Sequence, residues 1–355
     1  MKWPRTDLCD LFGIEHPILL APMSGATTPA LVAAVSNAGG LGGHGCTTFS
    51  GVAFREQVAA IRSASNRPFH VNFFAHVDPP KDGQAGPAMR AMLQDLWNEN
   101  GLGVLPAAEA SWPTFGNELL EAVLETRPAV VSFHFGMPEA SVIAAIKQAG
   151  CILLCSATTV AEAVALEAAG VDAVIAQGAE AGGHRGTFLG DVMGGTVGTM
   201  VLVPQIAWAV NIPVIAAGGI MDGRGIAAAF ALGASGVQLG TAFLSCPEAS
   251  VSEDQRAALL AACTRDTPTL VTKGVSGHPA RGLSNRLLTS VVQLEDQAAP
   301  FPMQNALTRQ LSGLGDPDLA VMWAGAGAGA SRAMPASELM ATLIDETQTA
   351  LVGLT

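Results

Sequence analysis

The run Gln177-Gly178-Ala179-Glu180-Ala181-Gly182-Gly183-His184-Arg185-Gly186 sets an imidazole on a Gly-Gly loop. With an ordinary pKa near neutrality, such a group can take up a proton or hydrogen-bond an anion. The pairs Gly218-Gly219 and Gly240-Thr241 suit another task. Glycine lets backbone N–H groups approach a phosphate closely, and Asp222 stands where it caps the helix that follows the first pair. Asn72 and Gln177 each carry an acceptor beside a donor, which matches the paired carbonyl and N–H groups of a heterocycle.

These residues matter only if the fold gathers them. Short β-rich apolar runs recur along the chain, each followed by a segment of helical spacing, and that alternation predicts parallel strands with crossover helices. The expected strands are Ile18 to Ala21, Gly40 to His44, Pro68 to Phe73, Ala129 to Phe133, Ile152 to Cys155, Asp172 to Ala176, Pro213 to Ala217 and Gly236 to Leu239. Gly39, Gly150, Gly170 and Gly233 each stand just past a helical stripe, where a left-handed residue ends a helix. Eight such units predict an α/β fold, the (β/α)8 TIM barrel, with ligands at the carboxyl ends of the strands. A doubly wound open sheet would want a Gly-x-Gly-x-x-Gly turn after its first strand, and Pro22-Met23-Ser24-Gly25 is not one.

On that barrel Pro22, Met23 and Ser24 follow the first strand, Asn72 ends the third, His134 the fourth and Gln177 the sixth. Gly218 and Gly219 end the seventh strand, and Gln238, Leu239, Gly240 and Thr241 the eighth, where such barrels commonly bind phosphate. A phosphate clamp beside two amides predicts flavin mononucleotide (FMN) across the mouth. His184 is the catalytic candidate and His134 a substrate-pocket candidate; His44 and His70 are weighed as core residues. The barrel is expected over residues 1–263, with an insertion at 76–117 placed as a lid, and 264–355 as an excursion and a C-terminal helix on or over the mouth.

Composition narrows the classes. A formal net charge of −12 opposes binding to nucleic acid or an anionic membrane. Six cysteines, at 9, 46, 151, 155, 246 and 263, are too sparse for a secreted disulfide framework and fit a cytoplasmic setting. Cys151 and Cys155 in an extended segment stand roughly 13 Å apart, too far to share one metal ion. Residues 1–10 lack a signal-peptide pattern, and the uncharged stretch Val192 to Met221 is broken by Pro204, Asn211, Pro213 and Gly218-Gly219.

Pro17 to Gly45, His70-Val71-Asn72, Ser132-Phe133-His134-Phe135-Gly136, the Gln177 to His184 run, Ala217-Gly218-Gly219-Ile220 and Gln238-Leu239-Gly240-Thr241 resemble the nitronate monooxygenase family. The resemblance runs through the whole barrel and weakly into Pro279-Ala280-Arg281-Gly282 and Ala333-Met334-Pro335. It implies an FMN barrel that oxidises small anionic nitronates with dioxygen to a carbonyl compound and nitrite. It further implies flavin contacts around Met23 and at Asn72, Gln177, Gly182, Gly219 and 238–241, with His184 facing the reacting carbon or nitro group. Related flavin barrels, the NAD(P)H:quinone reductases and enoyl-acyl carrier protein reductases, share the Gly-Gly-His loop, and a non-catalytic flavin barrel is a third reading. One departure stands out: the branch of the family with the longest match usually places tyrosines around its substrate, and this chain has none. Phe73, Phe74, Phe133, Phe135, Trp112 and Trp323 are the aromatic residues available for a pocket wall or for the core.

Overall fold

The computed structural model describes residues 6–110, 112–190, 195–262 and 269–353; Cys263 and the start of the expected excursion lie outside them. Eight parallel strands form the barrel: β1 (Ile18–Leu20), β2 (Gly42–Gly45), β3 (Phe69–Phe74), β4 (Val130–His134), β5 (Ile152–Ala157), β6 (Ala173–Gln177), β8 (Val214–Ala217) and β9 (Gly236–Leu239). Neighbours run in the order β1-β9-β8-β6-β5-β4-β3-β2. The ring closes where Leu41 N donates to Ile18 O and Leu20 N to Leu41 O, both at 3.0 Å. An open doubly wound sheet is thereby excluded.

Helix α1 (Asp7–Phe12) precedes the first strand, and its Leu8, Cys9 and Phe12 pack against Leu19, Val130, Leu154 and Ile215 of the barrel strands. The wall helices are α2 (Pro29–Asn37), α3 (Gly51–Ala64), α5 (Asn117–Thr126), α6 (Ala140–Gln148), α7 (Val160–Ala168), α8 (Thr199–Ala209) and α9 (Gly223–Ala231). Side chains cap several of them: Thr28 accepts from Leu31 N, Ser50 from Ala53 N and Thr159 from Glu162 N. Gly150 and Gly170 take φ of 84° and 91° just past α6 and α7, the left-handed turn that returns the chain to the next strand.

Two stretches leave the repeat. The insertion after β3 carries α4 (Pro87–Glu99). After β9 come α10 (Thr241–Leu244), α11 (Glu253–Ala261), β10 (Thr269–Thr272), β11 (Ala280–Leu283), α12 (Arg286–Val292) and α13 (Asn305–Ser312). Met89, Leu93, Leu96 and Trp97 of the insertion share a buried core with Leu287, Leu288, Val291, Leu307 and Leu311 of the excursion. The chain ends in α14 (Ala336–Gly353), which packs on α9 and α2 and so takes the eighth helical place on the barrel wall. Among the described residues no helix is long and apolar enough to cross a membrane.

Candidate active site

The carboxyl ends of the strands open into a cavity of about 490 Å³. Its wall contains Pro22, Met23, Ser24, Asn72, His134, Gln177, Gly182, Gly183, His184, Gly218, Gly219, Gln238, Gly240 and Thr241. Leu239 is not on that wall: its side chain is buried in the core, and its carbonyl accepts from Ala21 N at 2.8 Å. The strand-end positions thus converge as the repeat predicts, while the parity of β9 turns Leu239 away from the mouth.

His184 is held from two sides. Residues Gly183–His184 form the short strand β7, which pairs antiparallel with β11, Ala280 opposite His184 and Arg281 opposite Gly183. From the barrel side, Gln177 Nε2 donates to His184 O at 2.9 Å while its Oε1 accepts from Gly186 N at 2.7 Å. The Gln177 amide therefore ties down the His184 loop rather than standing free for a heterocycle. His134 Nε2 lies 3.1 Å from His184 O, and His278 Nε2 lies 2.9 Å from Arg185 O. Each faces a carbonyl, so each donates its Nε2 proton.

Burial pushes the imidazoles of His134 and His278 down to about 4. His184 is lowered well below its ordinary range by burial first, then by His278, His134 and His76. The near-neutral pKa expected from the sequence is therefore corrected: His184 is a neutral imidazole. Its Nε2 lies 2.9 Å from Ser276 Oγ, which leaves Nδ1 as the ring's remaining polar atom for the cavity.

Arg185, 1% exposed, donates to the carbonyls of Gln177 at 2.9 Å and Gly195 at 2.6 Å, and also to that of Gly178. It braces the loop from below. Glu180 accepts from Thr199 N at 2.9 Å and Thr199 Oγ1 at 2.8 Å, tying the same loop to the start of α8. Above it, a Cβ on Gly182 would lie 2.5 Å from Ala324 C and Gly325 N, so only glycine admits this backbone crossing.

The clamp expected at the ends of β8 and β9 is glycine-lined, but the start of α9 is already spent. Asp222 accepts from Arg224 N and Gly225 N, and Glu346 Oε2 accepts from Gly223 N at 3.0 Å. Any phosphate here would therefore meet the Gly218-Gly219 and Gly240-Thr241 backbone rather than that helix terminus. Elsewhere on the wall, Gln238 Oε1 and Thr47 Oγ1 are buried with no hydrogen-bond partner among the described residues. Asn72 Nδ2 donates to Ser132 Oγ at 3.0 Å, which leaves its Oδ1 for the cavity. Unspent polar atoms beside a glycine-lined corner fit a flavin.

The other candidate histidines sit away from the cavity. His44 lies 3.2 Å from Thr27 Oγ1 and 3.1 Å from Gln57 Oε1, and the fully buried His70 lies 2.9 Å from Leu20 O. Both are core residues. Phe73 and Phe133 are core as well, whereas Phe74, Trp112 and Trp323 face the cavity. Ser276 carried no signal, since it lies in an excursion with no repeat to place it. Among the described residues no cluster of three or more His, Cys, Asp or Glu is placed to hold a metal.

The profile of the Nitronate monooxygenase family matches residues 5–346. Nitronate monooxygenase of Pseudomonas aeruginosa is 44% identical over 347 residues, which cover 95% of this chain and 97% of that one. Nitronate monooxygenase of Paraburkholderia phytofirmans is 42% identical over 345 residues, covering 95% and 93%. Among solved structures, nitroalkane oxidase from Streptomyces ansochromogenes superposes with a TM-score of 0.88 at 36% identity, over 99% of this chain and 100% of that one. FabK from Thermotoga maritima gives 0.77 at 33% identity, over 99% and 98%. With the family profile matched over residues 5–346 and relatives up to 44% identical over 95% of its length, the chain belongs to the nitronate monooxygenase family, flavin-dependent enzymes that oxidise nitronates.

Proposed function

We propose that this chain uses FMN and dioxygen to convert alkyl nitronates into a carbonyl compound and nitrite, with His184 as the residue that touches the reacting group. The observation that carries the reading is the imidazole at the mouth: Nε2 is engaged by Ser276, and the ring borders a cavity with unspent polar atoms at Gln238 and Thr47. The backbone at Gly218, Gly219, Gly240 and Thr241 would hold the phosphate, and Pro22, Met23, Ser24, Asn72, Gly182, Gly183 and Gln238 would border the rest of the cofactor. Bound there, the flavin supplies the electron transfer between nitronate and dioxygen.

The chain's own contribution is position and exclusion of water. A nitronate is already an anion, so its oxygens need a hydrogen-bond donor, and His184 Nδ1 provides one when it carries the ring's proton. A neutral nitroalkane must lose its α-proton, and then the same atom has to be an acceptor. His134 keeps its Nε2 on the His184 carbonyl and fixes the loop. The five described cysteines are free and buried, which suits a reducing, cytoplasmic setting.

A flavin-dependent enoyl reductase is the second reading, favoured by the FabK likeness. Anaerobic mixing separates the two. Reduction of the yellow protein by a nitronate and not by NAD(P)H supports nitronate oxidation; fast bleaching by NAD(P)H alone overturns it. Chromatography of the heat-released flavin identifies FMN, and any other flavin would refute that assignment.

A further inference from the structure

Five aromatic rings surround the imidazole of His184. Their centroids lie at 5.4 Å for Phe301, 5.5 Å for Trp323, 5.7 Å for Phe135, 5.8 Å for Trp112 and 6.0 Å for Phe74. Phe74 ends β3 and Phe135 follows β4; Trp112 comes from the insertion, Phe301 and Trp323 from the excursion. With no tyrosine in the chain, none of these rings brings a hydroxyl.

The enclosure is built rather than incidental. Phe135 adopts φ of 67°, a conformation that bulky residues rarely tolerate, and its ring packs 4.7 Å from His134, 4.7 Å from His278 and 4.8 Å from Phe74. Strain of this kind persists only where surrounding packing holds it.

Charge is missing from the cavity that three of these rings, Phe74, Trp112 and Trp323, line. Among the described residues that line the cavity there is no Lys, Arg, Asp or Glu. The nearby guanidinium of Arg185 is directed at backbone carbonyls, and that of Arg281 at Ala179 O and Thr269 Oγ1. His134 and His278 give their Nε2 protons to carbonyls and are neutral at assay pH.

We propose that this chamber selects nitronates whose only charge is the nitronate group itself, with an apolar alkyl tail against the rings, and rejects nitronates that carry a carboxylate on the tail. The inference rests on the nitronate reading above and deepens it. An alkyl tail gains from leaving water for aromatic walls. A tail carboxylate would be desolvated there with no Lys or Arg to meet it, only the neutral His76 ring beside Phe301 and the indole N–H groups of Trp112 and Trp323, which is unfavourable.

The test uses an isosteric pair on the flavin-loaded protein: the nitronates of 3-methyl-1-nitrobutane and of 3-nitropropanoate, whose tails differ by an isopropyl group against a carboxylate. Assays at high salt remove the contribution of the net charge of −12, because the screening length falls to about 3 Å at 1 M. The expected kcat/KM ratio, read from nitrite release, is about 100-fold in favour of the isopropyl tail, as the cost of an unpaired buried charge dictates. A ratio under about tenfold, the equivalent of one pKa unit, overturns the proposal.

A second readout needs no turnover. Quenching of tryptophan fluorescence, with Trp112 and Trp323 beside His184, reports binding of 4-methylpentanoate and succinate, whose shared carboxylate stands for the nitronate group. The monoanion is expected to bind at least about tenfold tighter, and equal dissociation constants overturn the charge selection. If that preference holds while neither nitronate yields nitrite, the oxidation reading fails and the selection stands. Equal turnover of both nitronates leaves oxidation standing and removes the selection.

Discussion

Ser276 Oγ lies 2.9 Å from His184 Nε2, and the same hydroxyl lies 3.1 Å from the carbonyl of His278. It has one proton to give to two acceptors. When the proton goes to His184, the ring carries its own hydrogen on Nδ1 and can donate to an anion. When it goes to the His278 carbonyl, Nε2 carries the hydrogen and Nδ1 is left as a base. The rotation of one buried hydroxyl therefore sets what His184 offers the substrate.

Ser276→Ala is expected to lower kcat/KM for nitronates about tenfold, the worth of one hydrogen bond in a positioned site, with flavin content unchanged. Ser276→Cys, which keeps a weak donor of similar size, should recover part of the loss. An alanine variant with wild-type kinetics would show that the contact does not set the tautomer.

His184→Asn removes the imidazole while keeping a polar side chain on the loop. Turnover of nitronates should fall by about 10²- to 10⁴-fold, the usual share of a positioned acid-base or hydrogen-bonding group. The flavin spectrum and flavin-to-protein ratio should stay unchanged, because the glycine-lined corner is elsewhere on the wall. Full nitrite production by this variant would assign the chemistry to another residue.

Acid should weaken the fold through its buried imidazoles. Burial pushes His70, His134 and His278 down to about 4 in the folded state, against an ordinary value of 6.5 when unfolded. Between those values the unfolded chain binds more protons, so stability is full above pH 6.5 and drains away as pH falls toward 4. For the fully buried His70 the loss approaches about 3 kcal/mol, with smaller shares from the two partly exposed rings. Urea melts from pH 7.5 to 4.5 check this, and a midpoint that does not move would contradict it.

Gly182→Ala tests the crossing between the His184 loop and the excursion. A Cβ there would lie 2.5 Å from Ala324 C and Gly325 N, and both neighbours are backbone that cannot swing aside. Separation of the two segments should weaken flavin retention and lower the melting temperature by several degrees, in line with a loss of about 1–3 kcal/mol from overpacking. Unchanged flavin affinity and melting would mean that the mouth is more compliant than this contact implies.

Much of this arrangement is legible in the sequence. The eight strands fall within two residues of their expected limits; four of them, β2, β5, β6 and β9, follow a glycine stop, and Gly150 and Gly170 adopt the predicted left-handed turn. What escapes sequence reading is non-local. Strand β7 is two residues long and pairs with β11 almost a hundred residues later, so no periodicity reports it. Gln177 is found at its strand end, yet only the fold shows that its amide is taken by the loop it precedes. Nothing in the sequence marks Arg185 as buried; it is, and three carbonyls meet its guanidinium.

Glu162 is the other buried charge that holds this loop. Completely buried, its Oε2 accepts from Thr158 N at 2.6 Å and Thr158 Oγ1 at 2.8 Å, and its Oε1 from Phe188 N at 2.6 Å and Leu189 N at 2.9 Å. In Glu162→Gln the new NH2 cannot face Phe188 and Leu189, both fixed donors. It must turn to Thr158, whose hydroxyl can accept from it and pass its own proton to Thr187 Oγ1 at 2.8 Å. Only the Thr158 N bond is then lost, so stability should drop by about 1–3 kcal/mol while nitronate turnover survives. Glu162→Ala strips all four donors and should cost more, with loosening of the segment beyond His184 visible as a raised KM. Equal stability of the two variants would show that water replaces the carboxylate and that Glu162 does not brace the loop.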